Sequence, residues 1–475
     1  MSVHTHSRGL LVMKFGGTSV GDVTAVQHVL NIVHEARTTW PAMVVVASAL
    51  SGVTETLLTQ AYKVAQGDDS EVETTLQYLH ERHHQLLTAF VSDRKMQQAV
   101  GEEIERLLQR LASLWQAIAV LGEASPRALD AVAGMGERMS VRVLAAALNT
   151  AGIRAEAIDA TEIIVTDRQF QSAHPDMAAT QLKVNTLLRP RLADGIVPVI
   201  TGYIGATPEG IPTTLGRGGS DYSAAILAAA LHADEVWIWT DVNGVMTADP
   251  RLIPEAQTIP RLTYREVAEL AYFGAKVLHP KTIRPIIEAG IRLRVLNTFN
   301  PSHPGSEIVG DEPSILDGVI KAVTAVRHQR LVTVEGRGML GVPGVAARTF
   351  TAVARTGTSV PLISQASSEQ SICFAVPADT ADKIVAALEQ EFAKEIERRD
   401  IDRVWASDEV VILTVVGSGM QHIPGVAGRV FGALGAQGVN VIAIAQGSSE
   451  VSISLVVKAE DLQVGLRALH GLIRI

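Results

Sequence analysis

Two segments of this chain place a cation beside consecutive glycines. In the first, Lys14 stands just before Gly16 and Gly17, and a predicted helix begins near Asp22. Backbone N–H groups of adjacent glycines can approach an anion closely, and the N-terminal end of a helix favours negative charge. A lysine in a buried strand is costly unless its ammonium group meets a charge. The segment therefore indicates an anion site, and the alternative is a lysine that reaches solvent beside an ordinary turn.

The second segment is the string GRGG at 216–219, which sets Arg217 between glycines just before a predicted helix at 222–232. The guanidinium group of arginine is a planar fork that matches the geometry of a carboxylate. A helix cap would explain Ser220 or Asp221, but it would not explain an arginine between glycines. The segment therefore predicts a carboxylate contact, and the alternative is an ordinary capped helix start.

Three further segments carry weaker signals of the same kind. Thr240 and Asp241 begin a loop after a predicted strand, and Lys276 lies close to a glycine turn. Glu137 stands at the glycine-rich start of a helix, where compensation of the helix dipole is the alternative explanation. The dipeptide Gly-Lys, which a P-loop requires, does not occur in the chain. Any phosphate-binding site must therefore be formed by a different kind of loop.

The composition limits the kinds of protein that this chain can be. It has 475 residues, a formal net charge of -9 and one cysteine, Cys373. The charge argues against broad nucleic-acid binding, which uses clustered Lys and Arg, and one cysteine cannot form a disulfide framework. Residues 1–9 lack the apolar core of a signal peptide, and no uncharged apolar run is long enough to span a bilayer. We therefore expect a cytoplasmic protein with no nucleic-acid or membrane partner.

The elements that must position these residues alternate between strand and helix over the first 300 residues. A polar helical insertion is predicted at about 72–120, and apolar strands without alternation are predicted at 10–15, 43–48, 196–201, 236–240 and 293–297. This pattern predicts an α/β fold with a parallel-type central sheet and helices on both faces. In such sheets ligands bind beyond the carboxyl ends of the strands, so the segments above are expected to meet there.

Beyond a loop rich in Pro, Ser and Gly, the chain repeats itself. Pro343 and Pro424 lie 81 residues apart in matching strings, as do Gln365 and Gln446. Each copy is predicted as strand, glycine-rich turn, helix, strand, strand and helix, a βαββα unit that packs on the other copy. The GxGxxG string at 336–341 lacks the acidic residue expected about 20 residues further on, so it predicts a turn rather than a dinucleotide site.

Together these strings resemble the aspartate kinase family of the amino-acid kinase superfamily, over essentially the whole chain. The strings that carry the resemblance are KFGGTSV, GRGGSDYSAA, the loop from WTDV to DPR, and FGAKVLHP, in that order. LISQASSE and IAQGSSE in the repeats are similar to the kinase half of bifunctional aspartate kinase–homoserine dehydrogenases. The resemblance implies an amino-acid kinase fold followed by two ACT-like repeats. It also implies transfer of a phosphoryl group from ATP, with Mg²⁺, to the side-chain carboxylate of L-aspartate, in the biosynthesis of lysine, threonine and methionine.

The resemblance further implies roles for individual residues. Lys14 and Lys276 would flank the transferring phosphoryl group, and Asp221 would orient these lysines. Arg217 would bind a substrate carboxylate, and Glu137 would bind the substrate ammonium group. The other substrate-binding residues would be Ser48, Thr54, Gly218, Gly219 and Ser220. The other ATP-binding residues would be Gly16, Gly17, Thr240, Asp241, Met246 (where many relatives have tyrosine), Asp249, Pro250 and Arg251. No metal ligand from the protein is predicted.

Domain organisation and regulation follow from the same resemblance. The implied parts are a catalytic domain at 1–300, a linker at 301–318, a first repeat at 319–398 with 319–329 as a candidate shared edge strand, and a second repeat at 399–475. Gln365 and Gln446 would bind an amino-acid effector, threonine in preference to lysine, although both could merely tie down a turn. The repeats would join subunits into a homodimer or a larger homo-oligomer. Two other functions stay open: a kinase for a different amino-acid acceptor, and a non-catalytic amino-acid sensor.

Overall fold

A computed structural model of the chain describes residues 9–273, 278, 280–310, 319–365 and 370–473. The strands are β1 (Leu10–Phe15), β2 (Ala42–Ala47), β3 (Ala155–Ile158), β4 (Val197–Thr201), β5 (Ile204–Ala206), β6 (Pro212–Thr214), β7 (Glu235–Thr240), β8 (Arg261–Thr263), β9 (Arg292–Asn297), β10 (Ser306–Val309), β11 (Ala322–Glu335), β12 (Leu362–Gln365), β13 (Ser371–Pro377), β14 (Arg403–Val416), β15 (Ala443–Gln446) and β16 (Ser452–Lys458).

The helices are α1 (Val23–Arg37), α2 (Val53–Ala65), α3 (Val72–Phe90), α4 (Arg94–Leu121), α5 (Pro126–Ala133), α6 (Met135–Thr150), α7 (Met177–Ala193), α8 (Gly219–Leu231), α9 (Tyr264–Tyr272), α10 (Pro280–Ala289), α11 (Val345–Arg355), α12 (Ala381–Glu391), α13 (Ala393–Arg398), α14 (Val426–Ala436) and α15 (Leu462–His470). In the described part of the chain, none of them is both long enough and apolar enough to cross a bilayer.

The described residues form two compact units. The first contains those of 1–245, 260–264 and 277–310, and the second contains those of 246–259, 265–276 and 311–475. Residues 246–259 and 265–276 therefore belong structurally with the repeats, although they lie within the first 300 residues of the chain.

The first unit is built on one sheet with the strand order β3-β4-β2-β1-β7-β9-β10-β8. All neighbouring strands are parallel except β9 and β10. The central strands β1 and β2 are almost wholly apolar and buried, as expected for strands covered on both faces. The predicted parallel-type sheet is confirmed, and the helical insertion is present as α3 and α4.

The carboxyl ends of the central strands lie side by side, which brings the loops after them together. The parallel register places Phe15 of β1 opposite Ala47 of β2 and Trp239 of β7. Gly16 N donates a hydrogen bond to Trp239 O over 3.2 Å, and Ser48 N donates one to Phe15 O over 3.1 Å. The segments that the sequence marked as chemically active therefore begin at one edge of the sheet.

The second unit contains a six-stranded sheet in the order β12-β13-β11-β14-β16-β15. Its strand pairs are all antiparallel. The first repeat contributes β11, α11, β12, β13 and α12, and the second contributes β14, α14, β15, β16 and α15 in the same sequence. The βαββα prediction is confirmed for both copies. Residues 322–326 pair with 412–416 of the second copy, whereas 329–335 also pair with β13.

Two local features differ from, or refine, the sequence reading. β10 lies in the segment expected to be an irregular loop, and it pairs antiparallel with β9. A strand of four residues carries too little periodicity to be recognised, and this one is held by the buried Ser306, whose Oγ accepts a hydrogen bond from Val245 N over 2.9 Å.

The GxGxxG string forms a short turn after β11. A Cβ atom on Gly336 or Gly338 would collide with the backbone of Asp400, which explains both glycines by packing.

Candidate functional site

One cavity of about 760 Å³ opens at the carboxyl edge of the first unit's sheet. Its walls come from the loops after β1, β2, β4 and β7, from the start of α6 and from the loop that leads into α8. The predicted site residues that line it are Lys14, Gly16, Gly17, Ser48, Thr54, Glu137, Arg217, Gly218, Gly219, Ser220, Asp221, Thr240 and Asp241.

Lys14 and Asp221 form an ion pair in this cavity. Lys14 Nζ lies 2.7 Å from Asp221 Oδ1, and the two side chains are 11% and 15% exposed. Lys14 is the penultimate residue of β1, and Asp221 lies in the first turn of α8. The carboxylate therefore compensates the charge of the ammonium group and the helix dipole together. A lysine paired in this way has a defined position when no ligand is bound.

The glycine turn after β1 is fixed by backbone hydrogen bonds and close packing. Ser51 N donates to Gly17 O over 3.1 Å. A Cβ atom on Gly17 would lie 3.0 Å from Ala49 O, which is closer than most side chains tolerate. A larger residue would therefore push apart the loops after β1 and β2. Gly218, at the N-terminus of α8, has a φ of 71°, in the left-handed region that favours glycine.

Arg217 is an exposed cation at the edge of the cavity. Among the described residues it has no hydrogen-bond or ion-pair partner. A guanidinium group without a protein partner can donate two parallel hydrogen bonds to a carboxylate or a phosphate. Arg217 can therefore bind an anionic group of a ligand without first breaking an internal contact.

Glu137 is a buried carboxylate that lines the same cavity. It is 3% exposed, and its Oε2 atom has no hydrogen-bond partner in the described part of the chain. Burial raises the pKa of Glu137 to about 7, and hydrogen bonds with backbone N–H groups oppose this rise only in part. A buried acceptor without a partner costs free energy. A ligand ammonium group would remove this cost, because it supplies both a donor and a positive charge.

Several predicted residues are not among the described residues that line this cavity. Met246 and residues 249–251 belong to the second unit, where Arg251 donates to both carboxylate oxygens of Asp249 at 2.9 and 2.6 Å. That contact lowers the pKa of Asp249. Lys276 lies outside the described residues. Gln365 and Gln446 are exposed and end β12 and β15 of the second unit.

The cavity also contains residues that the sequence reading did not select. Tyr203 lies just beyond β4, and Gln171 lies in an irregular loop before α7. Tyr203 follows the carboxyl end of a parallel strand, so the general rule for such sheets could have found it. Gln171 carries no local pattern that points to a site.

The chemical character of the cavity suits two anions rather than a metal cluster. Within the described ranges, no group of three or more His, Cys, Asp or Glu side chains could hold a metal ion. Lys14, Arg217 and the turn amides supply positive charge, whereas Asp221 pairs with Lys14 and Glu137 supplies a buried carboxyl group. The arrangement can hold a phosphate chain against a small zwitterion that carries its own carboxylate.

Comparisons with known proteins agree with this description. A model of the Amino acid kinase family matches residues 9–297, and a model of the ACT domain matches residues 332–392 and 413–472. The chain belongs to the amino acid kinase family, and within that family to the aspartate kinases that carry ACT domains.

Three relatives show the extent of the similarity. The chain is 38% identical to the bifunctional aspartokinase/homoserine dehydrogenase of Daucus carota, over 97% of this chain and 50% of that protein. It is 34% identical to aspartokinase 2 of Arabidopsis thaliana, over 97% of this chain and 83% of that protein. The chain thus spans about half the length of the bifunctional relatives it matches.

The third relative has been solved by crystallography. The structure of E. coli aspartokinase III in complex with aspartate and ADP superposes with a TM-score of 0.81 at 32% identity, covering 98% of this chain and 99% of that one. A second structure of the same protein, in complex with lysine and aspartate, gives a TM-score of 0.76 at 32% identity, with coverage of 98% and 100%.

Proposed function

We propose that this protein is an aspartate kinase, which converts ATP and L-aspartate into ADP and 4-phospho-L-aspartate. The observation that carries the proposal is the grouping of Lys14, Asp221, Arg217 and Glu137 around one cavity. An amino-acid substrate presents an ammonium group and carboxylates, and the cavity offers a buried carboxylate and a free guanidinium group. The similarity to aspartokinase 2 of Arabidopsis thaliana and to E. coli aspartokinase III supports aspartate as the acceptor.

In the proposed reaction, Arg217 binds the α-carboxylate of aspartate and Glu137 binds its ammonium group. One oxygen of the side-chain carboxylate attacks the γ-phosphorus of ATP, and the bond from that phosphorus to the β,γ-bridging oxygen breaks, which releases ADP. No general base is required, because a carboxylate is already deprotonated at neutral pH. Lys14 neutralises charge on the transferring group, so catalysis consists of positioning and electrostatic stabilisation. Mg²⁺, when bound with ATP, would screen the triphosphate charge, and the nearby carboxylates are those of Asp221 and Asp241.

The nucleotide contacts form a second part of the proposal. Gly16, Gly17, Thr240 and Asp241 line the cavity on the side of β1 and β7 and are assigned to the phosphates and the nucleoside. The roles of Met246, Asp249, Pro250, Arg251 and Lys276 in ATP binding rest on the sequence resemblance. Arg251 would have to exchange Asp249 for a phosphate if it bound the nucleotide directly.

A hydroxamate assay tests the proposed function. The purified chain is incubated with ATP, Mg²⁺, hydroxylamine and one acceptor at a time: L-aspartate, L-glutamate, an N-acetyl amino acid or carbamate. We expect aspartyl hydroxamate and ADP to form together, and much less product with the other acceptors. If product forms only with another acceptor, the protein is a different amino-acid kinase. If no acceptor leads to ADP release, the result favours an amino-acid sensor.

Regulation, assembly and location complete the proposal. Threonine, more than lysine, is proposed to inhibit through Gln365 and Gln446, which occupy equivalent strand ends in the two repeats. The division at 300, 318 and 398, a homodimer or larger oligomer formed through the repeats, and a cytoplasmic location remain proposals. Limited proteolysis, light scattering with and without threonine, and cell fractionation would test them in turn.

A further inference from the structure

Asp130 is a buried carboxylate outside the cavity lining. It lies in α5 and is 1% exposed. Only Gly134 separates α5 from α6, the helix whose first turn carries Glu137. A Cβ atom on Gly134 would lie 2.8 Å from Ile204, so this helix corner is closely packed. Asp130 therefore has a rigid connection to the residue that we assign to the substrate ammonium group.

The hydrogen bonds of Asp130 come from two segments that lead to the cavity. Gln171 N donates to both carboxylate oxygens, at 3.1 and 2.9 Å. Thr214 N donates to Oδ2 over 2.9 Å, and Thr214 Oγ1 donates to Oδ1 over 2.7 Å. Burial raises the pKa of Asp130, and these hydrogen bonds oppose the rise. The carboxylate thus joins α5 to the loop before α7 and to the last residue of β6.

Both partners of Asp130 stand next to the Arg217 segment. Gln171 lines the cavity and has a φ of 68°, an uncommon conformation for a residue with a side chain. Gly216 has a φ of 78°, and a Cβ atom there would lie 3.0 Å from Gln171 O. Gln171 therefore packs closely against Gly216, the residue just before Arg217. Thr214 ends the strand from which that segment departs.

We infer that Asp130 is a positioning residue that sets the location of Arg217 relative to Glu137, and thereby forms the site that holds the α-carboxylate and the ammonium group of the substrate. The inference rests on the proposed function. These two groups are attached to the same carbon atom of aspartate, so Arg217 and Glu137 can bind them together only if the two side chains are held at a defined separation. Asp130 fixes that separation, since it accepts hydrogen bonds from Gln171 and Thr214 beside the Arg217 segment and belongs to the helix pair that carries Glu137.

The test is Asp130→Asn, which keeps the shape but turns one acceptor oxygen into an NH₂ group that faces N–H donors. We expect the KM for aspartate to rise about tenfold, an effect typical of losing an acceptor in a buried network. The KM for ATP should stay nearly constant. Calorimetry should show weaker aspartate binding to Asp130→Asn, and this measurement does not depend on turnover.

The matched control is Asp234→Asn. Asp234 Oδ2 also accepts two backbone N–H groups, from Gly9 and Leu10 at 3.1 and 2.7 Å, but at the amino end of β1. This variant should have a lower Tm and keep both KM values. Thr214→Val provides a milder second variant, because it removes the hydroxyl donor to Asp130 and keeps the backbone donor. It should raise the KM for aspartate in the same direction by a smaller factor.

The inference is overturned if Asp130→Asn and Thr214→Val both behave like Asp234→Asn. It is also overturned if the KM for ATP rises as much as the KM for aspartate, since the loss would then be general. A wild-type protein that binds aspartate but does not phosphorylate it contradicts the proposed reaction instead. In that case the calorimetric comparison of the variants still decides the role of Asp130.

Discussion

The ammonium group of Lys14 lies 2.7 Å from the carboxylate of Asp221, although the two residues belong to the first strand and the eighth helix of the chain. Both side chains are largely shielded from solvent, so their attraction is less screened than that of a surface pair. The pair holds a positive charge in place at the carboxyl edge of the sheet. The first prediction tests whether that charge acts on the transferring phosphoryl group.

Lys14→Met should lower kcat by at least ~10²-fold, the order expected when one preorganised electrostatic contact to the transition state is lost. ATP affinity should fall much less, because the glycine-turn amides remain. Steady-state kinetics and equilibrium nucleotide binding measure the two effects. Lys63→Met is the matched control. Lys63 Nζ lies 2.7 Å from Oε2 of the exposed Glu71, and neither residue lines the cavity. Near-normal turnover of a folded Lys14→Met protein would remove Lys14 from the mechanism.

Arg217→Lys should raise the KM for aspartate and leave the KM for ATP almost unchanged. Lysine keeps the positive charge but cannot make the two parallel hydrogen bonds of a guanidinium group with a carboxylate. Arg168→Lys is a suitable control, because Arg168 pairs with Glu209 at 3.0 Å on the surface. Equal increases in both KM values would assign Arg217 to the phosphates.

The raised pKa of Glu137 predicts how aspartate use depends on pH. With a pKa of about 7, Glu137 is protonated in the free enzyme at lower pH and cannot pair with an ammonium group. The kcat/KM for aspartate should therefore rise with pH and level off above 7, as this quantity reports ionisations of the free enzyme. Glu137→Gln should lower kcat/KM and remove this ionisation. A wild-type profile that is flat from pH 6 to 8, about one unit on each side of the pKa, would contradict the assignment.

The same residue should affect folding stability with a defined sign. Because burial raises the pKa of Glu137 above its usual 4.5, the folded state holds a proton that the unfolded state has lost between pH 4.5 and about 7. This ionisation makes the free energy of unfolding fall as pH rises through that window. Urea denaturation at several pH values should show that the free energy of unfolding falls less with rising pH in Glu137→Gln than in the wild type.

Gln365→Ala and Gln446→Ala should each relieve threonine inhibition and leave kcat without effector intact. Both side chains are exposed at the ends of edge strands, where an amide can donate to and accept from an amino-acid ligand. A coupling free energy of only ~1–3 kcal/mol between sites is enough for inhibition. Calorimetry should show weaker threonine binding in both variants. Lysine inhibition that survives both substitutions, or no threonine binding to the wild type, would reject this regulation.

Lys321→Met should destabilise the second unit by about 3–5 kcal/mol, the cost typical of removing one partner from a buried ion pair. Lys321 Nζ lies 3.1 Å from Glu266 Oε2, and the side chains are 4% and 0% exposed. Ser418 would still bind the other carboxylate oxygen. Lys458→Met, at a surface pair, should cost less than about 1 kcal/mol. Thermal denaturation of the two variants compares them directly.

Much of the architecture could be predicted because its causes are local. The apolar runs of β1 and β2 indicate strands buried on both faces, and the 81-residue repeat indicates two copies of one unit. β10 escaped prediction, since a strand of four residues is defined by its pairing with β9 rather than by its own pattern. Residues 246–259 lie within the predicted catalytic range but pack with the repeats, because Ala248 and Ile253 are buried in their apolar core.

The sequence by itself determined the chemical inventory of the site: a lysine beside a glycine turn, an arginine between glycines, and a glutamate at a helix start. Backbone conformation and side-chain type are properties of short segments, so short segments reveal them. Only the tertiary structure decided that Lys14 Nζ lies 2.7 Å from Asp221 Oδ1, that Glu137 is buried with a raised pKa, and that Asp130 joins the walls of the cavity. Distances between remote residues and exclusion of water depend on how the sheet, α5, α6 and α8 pack together, and no single segment contains that information.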